Sequence, residues 1–435
     1  MNLKTGGMLL AVAVALRMPL VGAPLVVELD HTNGVYRVGE TAHWTVKWDG
    51  ETNTAPVHYR LMKGQWMELS RGELQFSNGM ATLTTPLPEA GTVLGEFKWT
   101  NGSPCRALAG LIVSPGEISL SASRPADFDA FWAGKINDLA QIPVNAQLEE
   151  AATAKTNLSY WKITMDNIRG SHIYGQLARP RTGSKFPALL IVQWAGVYGL
   201  QQSWVTDRAA DGWLVLNIEP HDLPFDKPES FYKEQAAGPL KNYWNIGNDD
   251  RETSYYLRMY LSCYRAADYL AHRDDWDGKT LVVMGGSQGG MQTLVTAAIY
   301  PKFTAALACV PAGCDMLGPK SGRKGGWPQW YSNTAGKDPE KVREASRYYD
   351  VANFTPSIRC PVLIGAGLID DVCPAAGIMA AANQIRGPKE VILMPHSGHQ
   401  DEHGTQAAYN TRCYGDWLGA LVQGKAAPVK SGGLE

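Results

Sequence analysis

The stretch "VVMGGSQGGMQT" places Ser287 between Gly285-Gly286 and Gly289-Gly290, where an apolar run gives way to residues that suit a helix. A serine hydroxyl is a weak nucleophile and becomes reactive only beside a general base that a carboxylate orients. The pattern G-x-S-x-G between a strand and a helix is the signature of a nucleophile elbow, a strained turn that lifts the hydroxyl above the carboxyl edge of a sheet. Such strain demands small neighbours, so the glycines read as steric requirements. The start of the next helix would aim peptide N–H groups at an anion forming beside Ser287. The alternative for such a stretch is a tight glycine packing turn.

The partners of an elbow serine should follow in the order Asp, then His, each in a loop after a strand. "PVLIGAGLIDDVCP" supplies Asp370 and Asp371 at the end of one apolar run, and "VILMPHSGHQ" supplies His396 and His399 at the end of the next. Asp370 comes first after the turn and is the expected acid, with Asp371 a solvated neighbour. His399 follows Ser397-Gly398, a turn able to swing the imidazole over the nucleophile, and is the expected base; His396 reads as a loop packing residue. His396, His399 and His403 could instead suggest a metal site, but no carboxylate-bearing helix motif frames them, so neither metal nor cofactor is expected. The loop "VQWAGVYG" after an earlier buried run is the place for a second oxyanion donor. The backbone N–H groups of Val197 and Gln288 are the expected pair.

These residues need a sheet with helices around it. "PALLIVQWAG" and "GWLVLNIEP" are near-continuous apolar runs, as expected of strands buried on both faces of a parallel sheet. A long helix is expected from about 252 to 273, and strands and helices then alternate to a last helix near 406 to 422. The fold class is therefore α/β, doubly wound and mostly parallel. A Gly/Pro-rich excursion from 311 to 359 is placed to cap the site. In "SASRPADFDAFW", Ser123 and Pro125 suit a helix start, with Phe128, Phe131 and Trp132 on one face.

Ahead of this boundary the pattern is short, alternating and broken by Gly, Asn and Pro, which predicts a small immunoglobulin-like β-sandwich over 24–118. Trp44, Trp48, Trp66 and Trp99 could form a sugar-binding face there, although tryptophans in such sandwiches are more often core. Residues 1–23 carry Lys4, an apolar run from Met8 to Leu16 and a small-residue end at Ala23, as in a secretory signal peptide; export to the periplasm or medium is expected. The run is shorter than the ~18 residues of a membrane span. A formal net charge of -2 without a long basic run leaves no footprint for nucleic acid. Seven cysteines, an odd number spread through 435 residues, read as isolated buried thiols with room for one or two disulfides.

From about Ser123 to Leu421 the sequence resembles the acetyl xylan esterase and cephalosporin C deacetylase family, carbohydrate esterase family 7. The resemblance rests on "RPADFDAFW", "YYLRMYLSCYRAADYL", "GGSQGG", "FTPSIRCPVLIGAGLIDDVCP" and "GPKEVILMPHSGHQ", in that order. It implies an α/β-hydrolase domain over 119–435, with Ser287 as nucleophile, Asp370 as orienting acid, His399 as base, and Val197 and Gln288 as oxyanion donors. It also implies a cofactor-free deacetylase of small acetylated sugars, with no nucleic-acid or membrane partner and room for a homo-oligomer. The chain departs from the family in having "NIEPHDLP" where Arg-Gly-Gln is usual, Gln400 where Glu follows the base, Ala375 for a proline and Val197 for a common tyrosine. These departures bear on the acyl pocket and on the family's hexamer. A hydrolase of larger acyl or peptide substrates, and a carbohydrate-binding protein without activity, are the alternatives.

Overall fold

The computed structural model describes residues 25–48, 56–101 and 103–430. The expected signal segment lies outside the described residues. A nine-stranded sheet runs, edge to edge, through Lys389–Met394, Val362–Gly367, Ala305–Cys309, Trp276–Gly286, Phe186–Ile191, Leu214–Ile218, His172–Pro180, Leu158–Asp166 and Gln147–Glu150. The first six are mutually parallel and the last three are added antiparallel. Leu214–Ile218 and Val362–Gly367 are buried along their whole length, which is why both read as unbroken apolar runs.

Alternate residues of the central strands feed two separate cores. Leu190, Leu216 and Val283 face one core with the helices Phe128–Ala140, Tyr255–Ala271, Gln288–Ile299 and Ala375–Ala382. Leu189, Val215 and Val282 face the other, with Val205 and Ala209 of Ser203–Ala210 and with Tyr409, Cys413 and Trp417 of the C-terminal helix. Helices thus cover both faces. The chain enters the middle of the sheet at Phe186–Ile191, steps outward to Leu214–Ile218, then returns to Trp276–Gly286 on the other side. At such a reversal the loops leaving the two central strands diverge and open a crevice at the carboxyl edge.

Several local expectations need correction. The first helix begins at Phe128 rather than after Ser123, with Asp127 at the N-cap position; its carboxylate makes no cap bond because it accepts from Tyr348 Oη at 2.5 Å and Arg251 Nη1 at 2.6 Å. The last helix is interrupted by a π-helical segment, Thr411–Trp417. Helices Ser203–Ala210 and Glu229–Ala237 and the exposed edge strand Gln147–Glu150 were not anticipated, since none carries a strong apolar period. The excursion after Pro311 is a pinned wall: Trp327 N–H donates to Val372 O at 3.0 Å, Arg323 pairs with buried Asp315, and Trp330 is fully buried.

The N-terminal strands form a three-stranded sheet (Leu25–Leu29, Thr41–Trp48, Met80–Pro86) and a five-stranded one (Val35–Tyr36, His58–Lys63, Met67–Glu73, Gly91–Asn101, Ser103–Val113) with a shared apolar core. Trp44 and Trp99 belong to that core and Trp48 packs edge-on against Trp99, so they make no sugar-binding face; Trp66 alone of the four is exposed. The abundance of aromatic residues is explained elsewhere, by the packed cluster of Phe131, Trp132, Tyr256, Tyr260, Tyr349 and Phe354 around the first and long helices. Among the described residues no helix is long and apolar enough to cross a membrane. Cys263, Cys309, Cys314, Cys360, Cys373 and Cys413 are free thiols.

The sandwich is seated tightly on the larger unit. A Cβ at Gly110 would lie 2.1 Å from the carbonyl oxygen of Leu368, two residues before Asp370. Gly110→Ala should therefore destabilise the protein by roughly 1–3 kcal/mol, because the obstacle is backbone and cannot rotate aside. Gly116→Ala, where a Cβ meets nothing within 4 Å, should be near neutral; urea unfolding of the two variants checks the contrast.

Candidate active site

The elbow is built by close backbone approach. Ser287 adopts φ 55, ψ -120, between the strand Trp276–Gly286 and the helix Gln288–Ile299. A Cβ at Gly285 would lie 2.7 Å from Val192 O and one at Gly289 2.6 Å from the same oxygen, so both positions exclude a side chain. Gly290 is nearly as tight, against Pro311 at 2.9 Å. Gly286 is different: its Cβ would meet nothing nearer than 3.8 Å, so it is not a steric requirement. The turn is pinned on both sides, Ser287 N–H donating to Cys309 O and Ala312 N–H donating to Ser287 O, each at 2.9 Å.

Ser287 Oγ lies 2.8 Å from His399 Nε2, and His399 Nδ1 lies 2.9 Å from Asp370 Oδ2. A buried carboxylate is the acceptor at Nδ1, so the proton sits there and Nε2 is left to accept from the serine hydroxyl. Asp370 is fully buried, and its Oδ1 accepts from the N–H groups of Val372 at 2.9 Å and Cys373 at 2.8 Å. Those bonds fix the carboxyl plane. The competing residues stand apart: Asp371, His396 and His403 are exposed. Among the described residues the grouping that could hold a metal ion is Asp370, Cys373 and His399, and it reuses the hydrogen-bonded pair.

Val197 lies on the loop after Phe186–Ile191, and Gln288 is the first residue of the helix that follows the turn at Ser287. Among the described residues neither backbone N–H donates an internal hydrogen bond. What positions these segments is a buried network that the sequence reasoning missed. Tyr243 Oη donates to Gln288 Oε1 at 2.5 Å and accepts from Gly196 N–H at 3.3 Å, so one phenol joins the two segments. His221 Nε2 donates to Gly196 O at 2.8 Å, while its Nδ1 accepts from Tyr255 Oη at 2.7 Å, which in turn accepts from Arg258 Nη2 at 2.9 Å. His221 belongs to "NIEPHDLP", so that departure was the available signal. Tyr243 offered none. Burial pulls His221 down to about 4, with Arg258 adding to the effect, so its imidazole is neutral at neutral pH. Burial pushes Glu219 well above the ordinary carboxylate range, favouring the uncharged acid.

Two open surface grooves lie elsewhere, one around Arg60 and Lys98 and one around Arg343 and Arg347. Their charges are already paired, Arg60 with Glu68, Lys98 with Glu96, Arg343 with Glu340 and Arg347 with Glu344. Neither groove contains a nucleophile beside a base.

The mostly parallel sheet, the elbow at its reversal point and the Ser–His–Asp geometry define an α/β-hydrolase. A family model described as acetyl xylan esterase (AXE1) matches residues 119–415, and the chain belongs to that family of carboxylic ester hydrolases. It is 32% identical over 376 residues to acetyl esterase Axe7A from Xylanibacter ruminicola, covering 85% of each chain. That alignment is longer than everything from residue 119 onward, so it extends into the N-terminal sandwich. Solved structures of acetyl xylan esterases from Paenibacillus sp. R4 and Thermoanaerobacterium sp. JW/SL YS485 superpose with TM-scores of 0.59 at 23% and 21% identity. Each is covered over 96% of its length by 68% of this chain, which establishes the shared fold.

His221 makes a checkable difference. His221→Phe removes the donor to Gly196, beside the expected oxyanion donor Val197, and should lower ester turnover about tenfold or more, since a misplaced donor loses much of its worth. Because the folded pKa lies below the ordinary 6.5, the unfolded chain takes up this proton first as pH falls. The stabilisation is present above 6.5 and is lost on going down to about 4, by roughly 3 kcal/mol. Urea unfolding across that range should show a shallower pH dependence in His221→Phe than in the parent.

Proposed function

We propose that the protein is a serine deacetylase that removes acetyl groups from acetylated sugars such as xylan fragments. The observation that carries this reading is the unbroken chain from Ser287 Oγ through His399 to Asp370 in a member of the acetyl xylan esterase family. The names of its relatives support the acetyl ester as substrate.

In this reading Ser287 Oγ attacks the acetyl carbonyl carbon as its proton passes to His399 Nε2. The buried Asp370 carboxylate holds Nδ1–H and stabilises the imidazolium that forms. The tetrahedral oxyanion is received by the N–H groups of Gln288 and Val197, the former also at the positive end of its helix. Collapse breaks the bond to the sugar oxygen, which leaves as a hydroxyl with the proton from Nε2, and acetyl-Ser287 remains. A water molecule then gives its proton to Nε2, attacks the acetyl carbon, and acetate departs as Ser287 recovers its proton. No step calls on a cofactor. Residues 1–23 act as an export signal in this reading, and a mature N-terminus near Pro24 in secreted protein would be the matching observation.

Ser287→Ala should lower kcat/KM on p-nitrophenyl acetate by on the order of 10⁴-fold or more; turnover retained at the parent level would remove the serine mechanism. Release of acetate from acetylated xylo-oligosaccharides should exceed release of butyrate from butyryl esters, and a clear butyryl preference would move the substrate to larger acyl groups. An accessible Ser287 that a fluorophosphonate fails to label would instead favour a binding protein without activity.

A further inference from the structure

The acid loop is held from outside its own unit. Between the sandwich strands His58–Lys63 and Met67–Glu73 the chain turns at Gly64 and Gln65, with φ +55 and φ 58. Trp66 N–H donates to Lys63 O at 3.0 Å, closing a two-residue hairpin turn with both central residues left-handed. From this tip Gln65 Nε2 donates to the backbone carbonyl of Asp370 at 2.8 Å. The tip is clamped against the excursion as well: Lys324 N–H donates to Gly64 O at 2.8 Å, and Lys324 Nζ donates to Asp371 O at 2.5 Å. A Cβ at Gly64 would lie 2.6 Å from Arg323 Cβ, so the hairpin sits as close as a peptide backbone can.

Gln65 carries two costs that a bare turn would not need. Its left-handed backbone would suit Gly or Asn better, and its buried Oε1 has no partner among the described residues. Strain and an unsatisfied atom at one residue point to a role outside the turn. The carbonyl of Asp370 is the one group its side chain engages. Fixing that carbonyl orients the peptide from which the Asp370 side chain departs, while Val372 and Cys373 fix the far oxygen.

We propose that Gln65 of the N-terminal sandwich is a positioning residue for the triad, setting the Asp370 carboxylate that orients His399. This rests on the triad reading above. The sandwich thereby completes the active site of the neighbouring unit.

The test compares Gln65→Leu, Asp370→Asn and the double variant in the full-length protein, with p-nitrophenyl acetate as substrate. Gln65→Leu should lower kcat about tenfold with KM little changed, since small misplacements of a catalytic group are costly in rate. A less well placed Asp370 supports the imidazolium less, so the acid limb of the kcat/KM profile should move to lower pH. In the Asp370→Asn background the same change should have little further effect, because both act through one carboxylate. Circular dichroism and thermal unfolding of Gln65→Leu should match the parent closely. Parent-like kcat and pH profile in Gln65→Leu, with Asp370→Asn inactive, would overturn the inference while leaving the triad in place; so would a full tenfold loss in both backgrounds. Parent-like activity in Asp370→Asn would overturn the triad reading itself.

Discussion

The carbonyl oxygen of Val192 passes so close to the turn at Ser287 that neither flanking glycine of the motif can carry a side chain. From that contact the remaining geometry follows. The strand Trp276–Gly286 and the helix Gln288–Ile299 can lie against Phe186–Ile191 only if the turn between them is bare, and a bare turn leaves the serine hydroxyl nowhere to go but upward. The same oxygen belongs to the residue after Ile191, at the start of the loop that presents Val197. One close backbone approach therefore sets both the turn at Ser287 and its separation from the loop that carries Val197.

The parts of the site legible in the sequence are those encoded locally. The elbow, the order Ser, Asp, His, and the placement of Asp370 and His399 after apolar strands all depend on short runs in which residue type and conformation are tied. The preference for His399 over His396 rested on one flexible turn. The supports were not legible, because each joins residues far apart in the chain: Gln65 to Asp370, Tyr243 to Gln288, His221 to Gly196. No periodicity records such a pairing. The bare cap of the first helix has a related cause, since the Asp127 carboxylate is drawn outward by Arg251 and Tyr348.

The buried acidic side chains of Asp370 and Glu219 have different surroundings. Asp370 is sealed from solvent and keeps an imidazole and two backbone N–H groups as partners. Glu219 is equally sealed, and burial outweighs the Arg258 charge and the His221 N–H that favour its ionised form, so the acid is preferred. The stretch 217–224 thus contributes a neutral imidazole and a carboxyl whose uncharged form is favoured. His221 can hold Gly196 through a hydrogen bond without adding a positive charge to the loop that carries Val197.

The free cysteines have a consequence for where such a chain can work. Burial pushes the thiols of Cys263, Cys360 and Cys413 up to about 12 and those of Cys309, Cys314 and Cys373 well above the ordinary range. Protonated and enclosed, the five buried sulfurs of Cys263, Cys314, Cys360, Cys373 and Cys413 are poor substrates for thiol exchange and for oxidants alike. None of the five is joined to another cysteine among the described residues, so a reducing or an oxidising surrounding reaches them only when the chain opens.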